Sequence, residues 1–160
     1  LITAELIWVV LTPYLTLVEK APNLKVNLFQ HGNYTRTITD PFNHLKCNLD
    51  MLRFDIGRKI FREDRPVYSK QKPSPPAKYM DSASVENSMI AAGSIINGTI
   101  INSVIGRGVV VKKGAIIKNS YIMSNSFIEE NAHLEYVILD KLPNVLNVDV
   151  VSTPNIVVIL

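Results

Sequence analysis

Cysteine is almost absent from these 160 residues. The single one, Cys47, excludes any internal disulfide framework and fits a reducing, cytoplasmic compartment. It has no matched histidine or upstream basic partner and reads as a small buried side chain rather than a reactive thiol. Histidine is sparse too, with His31, His44 and His133 only. His31 and His44 lie on different elements, and no Cys/His cluster has zinc spacing. Net charge is slight. Seventeen basic against fourteen acidic side chains leave +3, too little to argue for a nucleic-acid partner. Long hydrophobic runs are also missing. The apolar stretch from Leu1 to Leu17 is broken by Thr3, Glu5, Thr12 and Pro13 and has no basic lead, which argues against a membrane span or signal peptide. It reads as a helix of a larger domain that the sequence enters part-way. What the chain has in quantity is apolar residues, 47% of the total, enough for a sizeable core.

Those residues are arranged periodically. Asn87-Ser88-Met89-Ile90 returns as Asn102-Ser103-Val104-Ile105, then as Asn119-Ser120-Tyr121-Ile122, and in worn form as Tyr136-Val137-Ile138-Leu139. The spacings are 15, 17 and 17 residues. A repeat this short cannot fold alone and implies stacked coils. Within it runs a finer period of six: Ile105, Val111, Ile117, then Ile122, Ile128, Leu134. Ser103, Val109, Ala115, Ser120, Ser126 and Ala132 sit two residues ahead of these. Two-residue alternation puts each such pair on one side of an extended strand, and a helix does not generate the pattern. Three short strands per turn give a coil of about 18 residues, so 17 implies one shortened corner.

The fold expected is therefore mainly β, a hexapeptide-repeat parallel β-helix. Its predicted bore is lined by Ile90, Ile96, Ile100, Ile105, Val111, Ile117, Ile122, Ile128, Leu134 and Ile138. Gly93, Gly98, Gly106, Gly108 and Gly114 fall at its corners. Lys112, Lys113, Lys118, Glu129, Glu130 and Glu135 point outward. A flat antiparallel sandwich is the alternative, disfavoured because no two-residue hairpin turns are evident.

Upstream, residues 1–18 read as helix and 24–39 as extended, with a turn at His31-Gly32-Asn33. Asp40-Pro41 opens a helix, Asp as N-cap and Pro at its first position, carrying Leu45, Leu49 and Leu52. Pro66, Pro73, Pro75 and Pro76 make residues 65–76 a stiff tether. The domain organisation is thus 1–64, a tether over 65–76, and a β-helix over 77–160. Val157-Val158-Ile159 reads as a final strand, while the register of 142–160 stays open.

Few residues carry chemistry. His133 points outward between inward Ala132 and Leu134, a surface histidine unless it serves as a general base between subunits. Arg53, Arg58, Lys59, Arg62, Arg65, Lys70, Lys72 and Lys78 face only Asp55, Glu63 and Asp64. Of these, Arg62, Arg65, Lys70 and Lys72 are candidates for an anionic effector site; a solvated basic linker is the alternative. Tyr121 and Phe127 suggest a face that meets another subunit or domain.

The order of these pieces resembles the C-terminal part of glucose-1-phosphate adenylyltransferase. The resemblance rests on His31-Gly32-Asn33-Tyr34, Asn48-Leu49-Asp50-Met51-Leu52, Pro66-Val67-Tyr68-Ser69-Lys70 with Pro75-Pro76-Ala77-Lys78, the coils at Asn102–Gly106 and Val137–Lys141, and Ser152-Thr153-Pro154-Asn155. It implies a left-handed helix and makes residues 1–64 a remnant of an α/β nucleotidyltransferase domain. It also implies a cytoplasmic protein of glycogen biosynthesis that forms homo- or hetero-tetramers. Catalytic members carry an Asp-(Val or Ile)-Gly-Thr segment whose Asp helps hold the divalent metal. Here Thr37 occupies that Asp position and Thr39 the Gly, although a shift of register would bring Asp40 there. A neutral hydroxyl does not replace a carboxylate as an Mg²⁺ ligand. This is similar to the GlgD-type regulatory subunit of Gram-positive bacteria, which pairs with a catalytic GlgC-type subunit. The glycine-rich nucleotide motif is absent too. The resemblance thus implies no catalytic, metal or cofactor site in this chain, Mg²⁺ on a catalytic partner, and sugar-phosphate, nucleotide or phosphate effectors. A hexapeptide acyltransferase using His133, or a GDP-mannose or UDP-N-acetylglucosamine type nucleotidyltransferase, are the competing readings.

Overall fold

The computed structural model describes residues 34–64, 66–68 and 73–140, together with the backbone of three strands beyond 140. Residues 33–160 form one compact unit. The expected helix over 1–18, the turn at 31–33, and Arg65, Lys70 and Lys72 lie outside the described residues.

Asp40 starts the first helix as expected. Its backbone is extended, its carboxylate accepts the Asn43 N–H at 2.7 Å, and Pro41 follows at N1. This helix, α1 (Pro41–Asp50), buries Leu45; Leu52 falls in the turn beyond its end. A second, unexpected helix, α2 (Phe54–Ile60), buries Ile56. It is short, lacks a side-chain cap at Arg53 and carries Gly57, so no local pattern marks it.

The rest is the expected parallel β-helix, consistent with the left-handed hexapeptide class. Three five-stranded parallel sheets form its sides. The first coil is β1 (Lys78–Tyr79), β2 (Ser84–Glu86) and β3 (Met89–Ile90). The second is β4 (Ile95–Ile96), β5 (Thr99–Ile101) and β6 (Val104–Ile105), and the third β7 (Val110–Val111), β8 (Ile116–Lys118) and β9 (Tyr121–Ile122). The fourth is β10 (Phe127–Ile128), β11 (His133–Glu135) and β12 (Val137–Leu139). Strands β13 (Asn144–Val145), β14 (Asp149–Val151) and β15 (Val157–Ile159) add a further layer to each sheet and supply the register the sequence left open.

The bore contains three columns. Tyr79, Ile96, Val111 and Ile128 stack in register on one side. Val85, Ile100, Ile117 and Leu134 stack on the second. Ile90, Ile105, Ile122 and Leu139 stack on the third. From the second coil onward these side chains are buried, whereas Tyr79 and Val85 at the open end stay 54% and 38% exposed. Leu139, not Ile138, lines the bore. Ile138 faces outward in register with Tyr121 and is buried there, outside the core cluster, on the face where α1 packs against β9 and β12. The small row is buried as expected, with Ser94 and Val137 added to it.

The corners explain the repeated asparagines. Asn87, Asn102 and Asn119 each adopt φ of 40–49°, the left-handed region that Asn tolerates better than other non-glycine residues. Tyr136 holds the same place in the fourth coil at φ 54°. The amides also stack: Asn87 Nδ2 donates to Asn102 Oδ1 at 3.0 Å, and Asn102 Nδ2 to Asn119 Oδ1 at 2.6 Å. Glu135 accepts from Asn119 Nδ2 at 3.5 Å and terminates the row. Beside it, Ser88, Ser103 and Ser120 each accept the backbone N–H of the next coil, from Ser103, Ser120 and Val137 respectively. Gly93, Gly108 and Gly114 do supply positive φ. Gly98 and Gly106 have another reason to be glycine, close approach of the next coil. A side chain on Gly98 would collide with the Ala115 carbonyl, and a Cβ on Gly106 would lie 2.7 Å from Ser124 N.

Candidate functional site

The segment before α1 is fixed by a small polar cluster. The Tyr34 hydroxyl donates to Asp50 Oδ2 at 2.9 Å, and Arg36 donates both to the Tyr34 oxygen and to Asp50. Asp50 is buried and Arg36 half-buried, so this ion pair is better shielded from water than the exposed pairs elsewhere. Cys47 approaches the Tyr34 oxygen at 3.9 Å, which gives the lone thiol a structural setting. Burial, aided by the nearby Asp50 carboxylate and opposed by the Arg36 hydrogen bond, pushes the Tyr34 hydroxyl up to about 12.

One residue further on lies the candidate metal position. Thr37 and Thr39 are exposed. Asp40, the carboxylate that a shifted register would bring to this place, is engaged as the cap of α1. Oδ1 accepts Asn43 N, and Oδ2 accepts Asn43 Nδ2 at 2.7 Å and the Thr39 hydroxyl at 3.1 Å. These bonds hold its carboxyl below the usual range. No group of three potential metal-ligating His, Cys, Asp or Glu side chains occurs among the described residues.

Among the described residues, three of the basic side chains have local partners. Arg62 pairs with Asp64, and Arg53 pairs with Asp55. The Arg58 guanidinium lies 5.4 Å from the Phe54 ring centroid. Of the four effector candidates only Arg62 is among the described residues.

Tyr121 and Phe127 fall on different sides of the prism. Tyr121 shares the outward row Met89, Val104, Tyr121, Ile138, and its ring meets His44 of α1 edge-on at 5.7 Å. Phe127 belongs to the outward row Ile95, Val110, Phe127 and lies beneath Lys112 Nζ at 5.4 Å. Alternation assigns both rings outward but cannot say which sheet each joins until the corners are placed. His133 is half-buried rather than on the open surface. Its Nε2 is enclosed without a hydrogen-bond partner, in register with Ile116 on one side and Asp149 on the other. No helix among the described residues is long and apolar enough to cross a membrane.

Residues 75–153 match the family described as GlmU-like, C-terminal hexapeptide. Over 66 residues the chain is 39% identical to the glycogen biosynthesis protein GlgD of Geobacillus stearothermophilus, covering 41% of the chain and 19% of that protein. It is 31% identical over 97 residues to GlgD of Bacillus subtilis, covering 60% and 28%. The glucose-1-phosphate adenylyltransferase of Thermosipho africanus is 36% identical over 89 residues, covering 56% and 22%. The matched part of the chain thus spans well under a third of each relative's length. Residues 75–153 are thus similar to hexapeptide-repeat domains of the GlmU-like C-terminal type, and the similarity to GlgD and glucose-1-phosphate adenylyltransferases covers part of the chain.

Proposed function

We propose that this chain is the C-terminal portion of a cytoplasmic glycogen-biosynthesis protein of the GlgD kind, serving subunit assembly and regulation. The reaction it serves joins ATP and glucose 1-phosphate to give ADP-glucose and pyrophosphate, with Mg²⁺ held by a catalytic GlgC-type partner in a mixed tetramer. The observation that carries this reading is the segment before α1. It offers neutral Thr37 where a metal-binding carboxylate is expected, and its nearest acidic neighbour in sequence, Asp40, is engaged as a helix cap. Relatives named GlgD on two sequences support the same choice. The acyltransferase reading is weakened by the enclosed His133 Nε2, since a general base must reach its substrate.

In this role the outward apolar row through Phe127 meets a partner subunit, while Tyr121 seats α1. Arg62, Arg65, Lys70 and Lys72 contribute to recognition of a phosphate-bearing effector. The test is adenylyl transfer by a catalytic glucose-1-phosphate adenylyltransferase subunit with and without the full-length protein that carries this chain. The proposal expects no turnover by the full-length protein alone, and altered turnover or effector response of the mixture. Turnover by the protein alone, lost on metal chelation, would contradict it. A mixture whose kinetics match the catalytic subunit at every effector concentration would also contradict it.

A further inference from the structure

The 15-residue spacing marks a structural defect in one corner of the β-helix. Between the first two strands of a coil, the first, third and fourth coils use four residues: 80–83, 112–115 and 129–132. The second coil uses two, Asn97 and Gly98. Gly98 therefore takes the place that Ala83, Ala115 and Ala132 hold in the other coils, where the next coil leaves no room for a Cβ. Adjacent coils are about 4.8 Å apart, so the corners above and below the short one stand roughly 10 Å apart. The result is a notch of about 330 Å³ lined by Ser82, Gly98, Thr99, Lys113, Gly114, Glu130 and Asn131.

The notch brings one cation and several donors together with one carboxylate. Lys113 brings an ammonium that forms no ion pair among the described residues. Ser82 and Thr99 bring hydroxyls, and the Gly98 N–H donates no hydrogen bond to another described residue. Cation, hydroxyl and free backbone N–H together match the oxygens of a tetrahedral oxyanion. Glu130 also lines the notch and selects within that class: its carboxylate repels a fully ionised group but accepts a hydrogen bond from one that keeps a hydroxyl. We propose that the notch at the short second corner binds a single phosphate group that retains a proton or carries a neighbouring hydroxyl. This site is separate from the tether residues and stands whether or not they bind an effector.

The test is an NMR titration of the full chain with inorganic phosphate, methyl phosphate and sulfate, following the amides of Gly98, Thr99, Lys113 and Gly114. Near neutral pH, phosphate shifts these four saturably and sulfate, which has no proton to offer Glu130, shifts them less. Methyl phosphate, an ester without a neighbouring hydroxyl, separates the sources: equal binding assigns the site to free phosphate or any monoester, and loss of binding restricts it to groups that bring their own proton or hydroxyl to Glu130. Lys113→Gln weakens phosphate binding about tenfold, the scale of one charge-assisted hydrogen bond. Glu130→Gln strengthens binding of sulfate more than of phosphate. Replacing Asn97-Gly98 by the four-residue corner of the third coil, Lys-Lys-Gly-Ala, fills the notch and abolishes binding. Unshifted amides at millimolar phosphate, or shifts that persist undiminished in Lys113→Gln, would overturn the proposal.

Discussion

Asn102 fulfils two requirements at once, a left-handed corner and a place in the amide row, and the two can be separated by substitution. Asn102→Gly keeps the corner and removes two side-chain bonds, so it costs about 1–2 kcal/mol. Asn102→Ala adds the left-handed penalty of about 1–2 kcal/mol for a residue with a Cβ. Urea unfolding should therefore rank Ala below Gly; equal losses would mean that the corner conformation carries no strain. The complementary change is Tyr136→Asn, which places a tolerant residue at φ 54° and extends the amide row. It should stabilise by about 1 kcal/mol, a gain readable from the same denaturation curves. At Tyr34 the raised hydroxyl makes a pH prediction. The neutral phenol is the form the fold favours, so its contribution is complete below pH 10. It is lost as pH rises from about 10 through about 12. Tyrosinate absorbance should show one tyrosine ionising late, and Tyr34→Phe should remove that step. At this scale the sequence shows where the corners recur but only part of what makes them. The recurrence of Asn is plain in the sequence, while the freedom of glycine accounts for only some of the corners. The conformational tolerance of Asn was the missed signal, and close approach at Gly98 and Gly106 depends on the neighbouring coil, which no local pattern encodes.

The elements show why Ile138 and Leu139 were exchanged. Both are aliphatic, adjacent and buried, so composition does not tell them apart; only the pairing with Tyr121 and Ile122 does. The two should respond differently to substitution. Leu139→Ala opens a cavity in the bore and costs about 2–5 kcal/mol of β-helix stability. Ile138→Asp leaves the bore intact and instead loosens α1 from the sheet, raising hydrogen exchange along Pro41–Asp50 while the amides of β5 and β8 stay protected. Loss of protection across all sheets in Ile138→Asp would show that this side chain belongs to the bore after all. The β-helix itself was legible because its side-chain period of two and coil period of 17 are both carried by interior residues. Helix α2 was not, because seven residues around a glycine give too little periodicity to register.

For the whole molecule, two rows of apolar side chains run outward across different sheets, and they have different fates. Met89, Val104, Tyr121 and Ile138 lie on the side that receives α1, which covers the last two. Ile95, Val110 and Phe127 form a second row, with Ile95 at 41% exposure. Under the proposed function, this second row is the one that meets a partner subunit. The family resemblance suggested assembly, but sequence alone placed Tyr121 and Phe127 on one face, and three-dimensional placement divides that face in two. The most direct measurement is sedimentation velocity of the full-length protein mixed with a catalytic glucose-1-phosphate adenylyltransferase subunit, using the natural chain and Phe127→Glu. The account predicts a mixed tetramer with the natural chain and separate boundaries with Phe127→Glu, whose circular dichroism remains that of the folded β-helix. A mixed tetramer that forms equally well with Phe127→Glu, or none with the natural chain, would contradict it.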